Sequence, residues 1–159
     1  MGYFLAENAW HRGADVTVVS GPVAENVSNL LRGMPEISIV SVKTASEMFS
    51  AARRVFSSCD VAVFSAAVTD FQPVSPFHSK LKKSSAFRPT FTHTVDIAEK
   101  LSHSKTHQKI IGFSLETENI IANAQKKLRA KHFDVIVANT PETFGSDEIR
   151  CAFVTLKKK

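Results

Sequence analysis

Apolar residues recur along this chain at two spacings, and the alternation between them predicts its elements. From Met1 to His11, Phe4, Leu5, Ala9 and Trp10 form a partial helical stripe, and Gly13 follows as a stop. Asp15 to Ser20 is a Val-rich strand closed by Gly21-Pro22, and Ala24 to Leu31 reads as a short helix. Ile37 to Val42 alternates, with Ile37, Ile39 and either Val40 or Val42 inward, as a strand does. Thr44 offers an N-cap with Glu47 three residues on, a capping box that opens a helix from Ala45 to Phe56. The run after Asp60, with Val61 and Val63, reads as a strand buried on both faces. Thr94 precedes a helix start with Asp96 and Glu99 in its first turn, where carboxylates oppose the macrodipole. Lys109 to Leu115 is a strand closed by Glu116-Thr117, and Asn119 to Lys131 is a helix with Ile120, Ile121, Ala124 and Leu128 inward. Asp134 to Ala138 is a further buried strand, and Cys151 to Leu156 an edge strand leading into a lysine tail.

Strand, helix, strand recurs, so the expected fold is a single three-layer α/β domain with a mostly parallel sheet and right-handed crossovers. Its layering is Rossmann-like without a G-x-G-x-x-G fingerprint. The first helix, its Arg12-Gly13-Ala14-Asp15 turn and the next strand form the second half of a βαβ unit. The first strand of that unit, and the phosphate-holding turn after it, are expected to be missing. Between Lys83 and Thr94, the period-two pattern Phe87, Pro89, Phe91 predicts an excursion over 80–94 with an exposed apolar edge. It is either a dimer contact or a flap folded back on its own domain.

Composition narrows the function. At 159 residues with 43% hydrophobic and 22% charged residues, the chain has the make-up of an ordinary globular domain with its own core. Its formal net charge of +5, crowded at Lys80–Lys83, Lys126–Lys131 and Lys157–Lys159, points to an anionic partner. One Tyr, one Trp and no basic-aromatic alternation argue against nucleic acid. No apolar run approaches the roughly 20 residues of a membrane helix. Cys59 and Cys151 fit no metal spacing and read as reduced core thiols of a cytoplasmic protein. The histidines, His78, His93, His103, His107 and His132 among them, lack ligand spacing and read as structural or solvated.

Candidate chemistry concentrates between Asp60 and Lys83. At the carboxyl end of its strand the chain turns to the small Ala66 and Ala67, the carboxylate of Asp70, Pro73 and Pro76, which forbid regular structure, and then Lys80, Lys82 and Lys83. Ligand crevices of open α/β sheets lie outside the carboxyl ends of the strands, so this is a nucleotide-site pattern. Asp70 either accepts from the exocyclic amine of a base or caps a turn. Gly112 and Phe113 sit at another strand's exit, where glycine permits close approach and the ring stacks on a base or joins the core. Lys127 and Lys131, four apart on one helix face, reach one phosphate chain or form a solvated basic face. Asn139 ends a third strand as a ligand contact or a satisfied loop amide.

A-A-V-T-D-F, then ten residues from Asp70 to the K-x-K-K of Lys80–Lys83, resembles phosphopantothenoylcysteine synthetase, the coenzyme A enzyme often fused to a flavin-dependent decarboxylase. G-F-S-L-E-T (Gly112–Thr117), K-K-L-R-A-K (Lys126–Lys131), V-A-N-T (Val137–Thr140) and F-G-S-D (Phe144–Asp147) follow in the family's order. The resemblance implies that 4′-phosphopantothenate is joined to cysteine with CTP and Mg²⁺ through an acyl-cytidylate, in a homodimer, with a decarboxylase as a further partner. It implies that Lys80 follows the charge developing at the α-phosphate, and that Asp70 helps to read cytosine. The family's Asn-Pro-Asp-Ile, whose helix N-terminus meets the nucleotide phosphates, is here Thr94-Val95-Asp96-Ile97. Its first strand and Asn-x-x-Ser-Gly loop are reduced to Met-Gly, and Ile149 stands where an asparagine is usual. These departures support an alternative, a non-catalytic nucleotide-binding or dimerising remnant. A nicotinamide-dependent enzyme ranks third, for want of a glycine-rich turn.

Overall fold

The computed structural model describes residues 1–31, 33–75, 88–143 and 150–156. Pro76, His78, Lys80, Lys82, Lys83, Phe87, the Phe144–Asp147 motif, Ile149 and the lysine tail lie outside them. In chain order the elements are α1 (Gly2–His11), β1 (Thr17–Ser20), α2 (Glu25–Ser28), β2 (Ser38–Ser41), α3 (Ala45–Phe56), β3 (Val61–Phe64), β4 (Phe71–Pro73), β5 (Phe91–His93), α4 (Ile97–Ser102), β6 (Lys109–Leu115), α5 (Ile120–Ala130), β7 (Val135–Asn139) and β8 (Cys151–Thr155).

The fold is mixed α/β with mostly parallel strands, as expected. β1 runs parallel to β2, and a second sheet has the order β3-β6-β7-β8, parallel except for the antiparallel edge strand β8. Strand alternation sorts the side chains of the second sheet into two faces. Ala62 and Phe64 of β3, Ile110 of β6, Ile136 and Ala138 of β7 and Val154 of β8 share a core with Phe56 of α3, Leu101 of α4 and Leu128 of α5. The opposite face carries Val61, Val63 and Phe153, all exposed, around the half-buried Ile111, Phe113 and Val137. A second core joins Tyr3 and Ala6 of α1 to Val16 and Val18, Leu31 and Ile37. Because α1 packs on Val16 and Val18 while α3 sets Met48 against Gly21, the β1–β2 sheet is sandwiched between helices.

Local chemistry explains most boundaries. The Thr44 hydroxyl accepts from the Glu47 amide at 3.2 Å and the Glu47 carboxylate accepts from the Thr44 amide, so the predicted capping box opens α3. Gln108, almost fully buried, donates to the Phe56 carbonyl at 3.1 Å and accepts from the Thr106 amide, fixing the loop that delivers β6.

Several expectations are corrected. The stripe of α1 that packs inward is Tyr3, Ala6 and Trp10, and Phe4 and Leu5 point outward. Ile39 is exposed on a face of β2 that the second core does not cover, and Ile37 enters that core before the strand begins. Among the described residues β3 pairs on one side only, and Val61 is 52% and Val63 44% exposed, although its sequence reads as a buried parallel strand. Ile121 is turned outward, leaving Ala124 and Leu128 as the buried residues of α5. Cys151 is exposed on the outer strand β8, whereas Cys59 is half-buried with its thiol on the Phe56 carbonyl. Pro73 lies within regular structure: β4 and β5 pair as an antiparallel ribbon, joined by Thr94 N to Asp70 O and Val74 N to Thr90 O. Those bonds fall on even-numbered residues of β4's run, so the nitrogen of Pro73 faces away from β5 and no ladder donor is lost. The ribbon pairs Phe71 with His93 and Pro73 with Phe91.

Candidate functional site

The carboxyl end of β3 releases the chain into Ser65–Asp70, which leads directly into the ribbon. Ala66, Ala67 and Asp70 are exposed, and the Asp70 carbonyl accepts from the Thr94 amide at 2.9 Å. Two residues on, Asp96 caps α4 by accepting from the Glu99 amide at 2.9 Å, so the cap is Asp96 and not Thr94. The other oxygen of Asp96 accepts from Lys131 at 2.6 Å. Burial pushes the Asp96 carboxyl up, but the Lys131 and Glu99 bonds outweigh it and hold the pKa below the ordinary range. Ile97 follows as a core residue. One ribbon root therefore brings together the Asp70 loop, Asp96, Ile97 and Lys131.

Beside that root lies a cleft of about 720 Å³ lined by Ser46 of α3, Gln72 and His93 of the ribbon, Thr94 to Asp96, and Glu99, Lys100 and His103 of α4. Thr94 Oγ1 is buried there without a hydrogen-bond partner among the described residues. A buried hydroxyl left unpaired costs free energy that a bound polar group would recover.

The remaining predicted residues separate. Lys127 donates to Ser114 Oγ at 2.9 Å and to Glu116 Oε1 at 2.6 Å, while Asn123 donates to Glu116 Oε2 at 3.1 Å. Glu116 is only 11% exposed, and its bonds from Lys127 and Ser114 hold its pKa below the usual carboxylate value. Lys127 and Lys131, one turn apart, thus serve two different carboxylates. Gly112 faces the core, where a Cβ would come within 2.4 Å of the Phe133 ring. Phe113 points to the opposite face of the sheet, so the two neighbours do not converge. Asn139, half-buried at the end of β7, accepts from the Glu116 amide through its carbonyl at 2.9 Å. Among the described residues, no group of three or more His, Cys, Asp or Glu is placed to hold a metal ion.

Residues 1–159 match the DNA/pantothenate metabolism flavoprotein C-terminal domain. The chain belongs to this family. It is 37% identical over 151 residues to the coenzyme A biosynthesis bifunctional protein CoaBC of Borreliella burgdorferi, covering 92% of this chain and 37% of that protein. It therefore spans little more than a third of that relative's length. The crystal structure of the C-terminal domain of a CoaBC superposes with a TM-score of 0.73 at 30% identity, over 99% of this chain and 73% of that one. A Cab2 mutant in complex with phosphopantothenate-cysteine shares the fold, with a TM-score of 0.68 at 16% identity over 99% of this chain and 71% of that one.

Within this family member, sequence reasoning passed over Ser114, Glu116 and Asn123. A signal existed. Ser114 in β6 and Glu116 just past its end fall on one face, and Asn123 and Lys127 are four apart on the helix that follows. In the sequence Glu116 reads as the residue that closes the strand and as a member of the G-F-S-L-E-T motif.

Proposed function

We propose that this chain is the phosphopantothenate–cysteine ligase domain of a coenzyme A biosynthesis enzyme, using CTP. The observation that carries the reading is the ribbon root, where Thr94, its hydroxyl unpaired among the described residues, and Asp96 line an open cleft, Thr94 bonding back to the Asp70 carbonyl and Asp96 to Lys131. A polar cleft beside a strand's carboxyl end suits a nucleotide. The substrate carboxylate attacks the α-phosphorus of CTP, pyrophosphate leaves, and an acyl-cytidylate forms. The cysteine amine then attacks the acyl carbon, loses a proton and displaces CMP. Lys80 supplies positive charge to the first step, and Asp70 reads the base. Magnesium ion would accompany the triphosphate and neutralise part of its charge, as suits a hard cation that keeps few protein ligands. The family resemblance and the ligand named in the Cab2 structure support the substrates. The exposed Phe71 and Phe91 support dimerisation through the ribbon. No described helix is long and apolar enough to cross a membrane.

The test is pyrophosphate release with CTP, Mg²⁺ and 4′-phosphopantothenate, before and after cysteine, in the chain and its Lys80→Ala variant. Pyrophosphate that depends on phosphopantothenate and is lost in the variant is expected. No pyrophosphate from folded protein under any condition removes the ligase reading. The second reading, a nucleotide-binding or dimerising module without ligation, is favoured by the break in the sheet between β1 and β3. CTP binding without turnover would support it.

A further inference from the structure

A lysine ammonium has three donors on a flexible stem, so the groups that hold it decide where its charge is delivered. Lys127 of α5 is held from two sides. Its Nζ donates to Ser114 Oγ at 2.9 Å and to Glu116 Oε1 at 2.6 Å, and the Ser114 hydroxyl donates to the same carboxylate oxygen, which closes a ring of hydrogen bonds. Asn123 donates to the other oxygen, Glu116 Oε2, at 3.1 Å and to the Glu118 carbonyl at 3.0 Å. Ser114 is buried and Glu116 largely so, whereas the Lys127 side chain is 48% exposed. Anchored acceptors thus take two of the ammonium's donors, and the third is left for solvent or a ligand. The ring stands where α/β sheets bind ligands. β3, β6 and β7 run parallel, Ser114 pairs with Ala138 near the carboxyl end of β7, and the Glu116 amide donates to the Asn139 carbonyl. Helical side chains lean towards the helix N-terminus, and α5 begins at this end of the sheet, so Lys127 leans towards it.

We propose that Glu116 is a positioning residue, which with Ser114 holds the Lys127 ammonium so that its remaining donor meets a nucleotide phosphate. The inference rests on the ligase reading for the identity of the anion. Its physical content is a choice between two opposite effects. A carboxylate that only competes with phosphate for a lysine weakens nucleotide binding, and removing its charge tightens it. A carboxylate that orients the lysine strengthens binding, and removing its charge loosens it. The hydrogen bonds favour orientation. Glu116 is bonded at both oxygens, to Lys127 and Ser114 at one and to Asn123 at the other, so it is fixed in place and does not follow the ammonium. Ser114, uncharged and buried, holds the same ammonium without competing for an anion's place, and it comes from the strand rather than from the helix that carries Lys127. Two acceptors from the sheet's carboxyl end therefore set the direction of one exposed cation.

The test compares the full natural chain with Glu116→Gln, Lys127→Ala, the double variant and Ser114→Ala, each shown to be folded by circular dichroism. Calorimetry reads the Kd for CTP with Mg²⁺, and steady-state pyrophosphate release reads the KM of each substrate. Glu116→Gln is expected to raise the Kd and KM for CTP by about fivefold or more and to leave the KM for 4′-phosphopantothenate within about twofold. In the Lys127→Ala background it should have no further effect on CTP. Ser114→Ala should shift CTP in the same direction by less, and it decides alone if Glu116→Gln does not fold, an unchanged Kd then overturning the proposal. Unchanged or tighter CTP binding in Glu116→Gln overturns the positioning role, while pyrophosphate release by the natural chain keeps the ligase reading. A loss that persists without Lys127, or that raises the KM of both substrates together, overturns it too, because a merely structural residue behaves so. A natural chain that neither binds CTP nor releases pyrophosphate removes the ligase reading and this inference with it.

Discussion

Lys131 Nζ lies 2.6 Å from Asp96 Oδ2, so the residue that ends α5 holds the residue that caps α4 beside the cleft. The pair is partly exposed, and its direct contribution is small. Its consequence is positional: it fixes the start of α4 against the ribbon root that also carries Asp70. Asp96→Ala removes cap and ion pair together and is expected to cost about 1–2 kcal/mol in urea unfolding. Lys131→Ala, which leaves the cap, should cost less than half of that. Equal costs would mean that the cap contributes nothing.

Glu116 sets up a pH dependence. Its folded pKa is depressed, as is that of Asp96, and as is that of Asp134, where burial raises it and bonds from the Lys105 ammonium and the Ile110 amide more than compensate. Between the folded and unfolded values the unfolded chain binds more protons, so stability rises with pH there. It should be level near neutrality and fall as the pH drops below about 4. Glu116→Gln is expected to lose about 1–3 kcal/mol at neutral pH, and its difference from the natural chain should shrink in acid. Urea midpoints measured from neutrality downwards give both curves, and a constant offset would show that Glu116 is not the group titrating.

Gly112 is required by Phe133. A methyl group there has to displace an aromatic ring from the core, so Gly112→Ala is expected to cost about 1–3 kcal/mol. In a double-mutant cycle with Phe133→Leu the two costs should sum to more than the cost of the pair. Additive costs would place the strain elsewhere.

The capping box of α3 predicts that Thr44→Ala destabilises by about 1 kcal/mol, read from the thermal midpoint. Thr44→Ser keeps the accepting oxygen and should recover most of it.

The ribbon predicts self-association. Phe71 and Phe91 are both more than half exposed. Under the dimer reading, Phe91→Asp should shift sedimentation towards monomer while leaving the far-ultraviolet circular dichroism unchanged. A natural chain that is already monomeric throughout would end that reading.

Much of this was legible in the residue order, for a physical reason: capping, helix periodicity and strand runs are decided within a few residues. Thr44 and Glu47 announced α3 to the residue, and the order of strands and helices announced a parallel sheet. The candidate site was legible only in part. Asp70 and Asp96 were singled out separately, 26 positions apart in the chain. That they meet at one ribbon root follows from pairing between β4 and β5, a long-range contact with no local signature. Lys127 and Lys131 looked equivalent on one helix face, and only the carboxylates brought to each by β6 and α4 distinguish them.

By itself, then, the sequence determined the α/β class, the positions of most elements, and the family through motifs in register. The tertiary structure alone decided which apolar residues are covered. Val61 and Val63 have the composition of a central strand, yet are exposed on a strand that pairs on one side only among the described residues, because burial depends on what occupies the neighbouring position in the sheet. It likewise decided that Gly112 serves a phenylalanine ring 21 residues later. Local propensity is a property of the chain's own neighbours in sequence, whereas edges, clefts and close packing are made by neighbours in space.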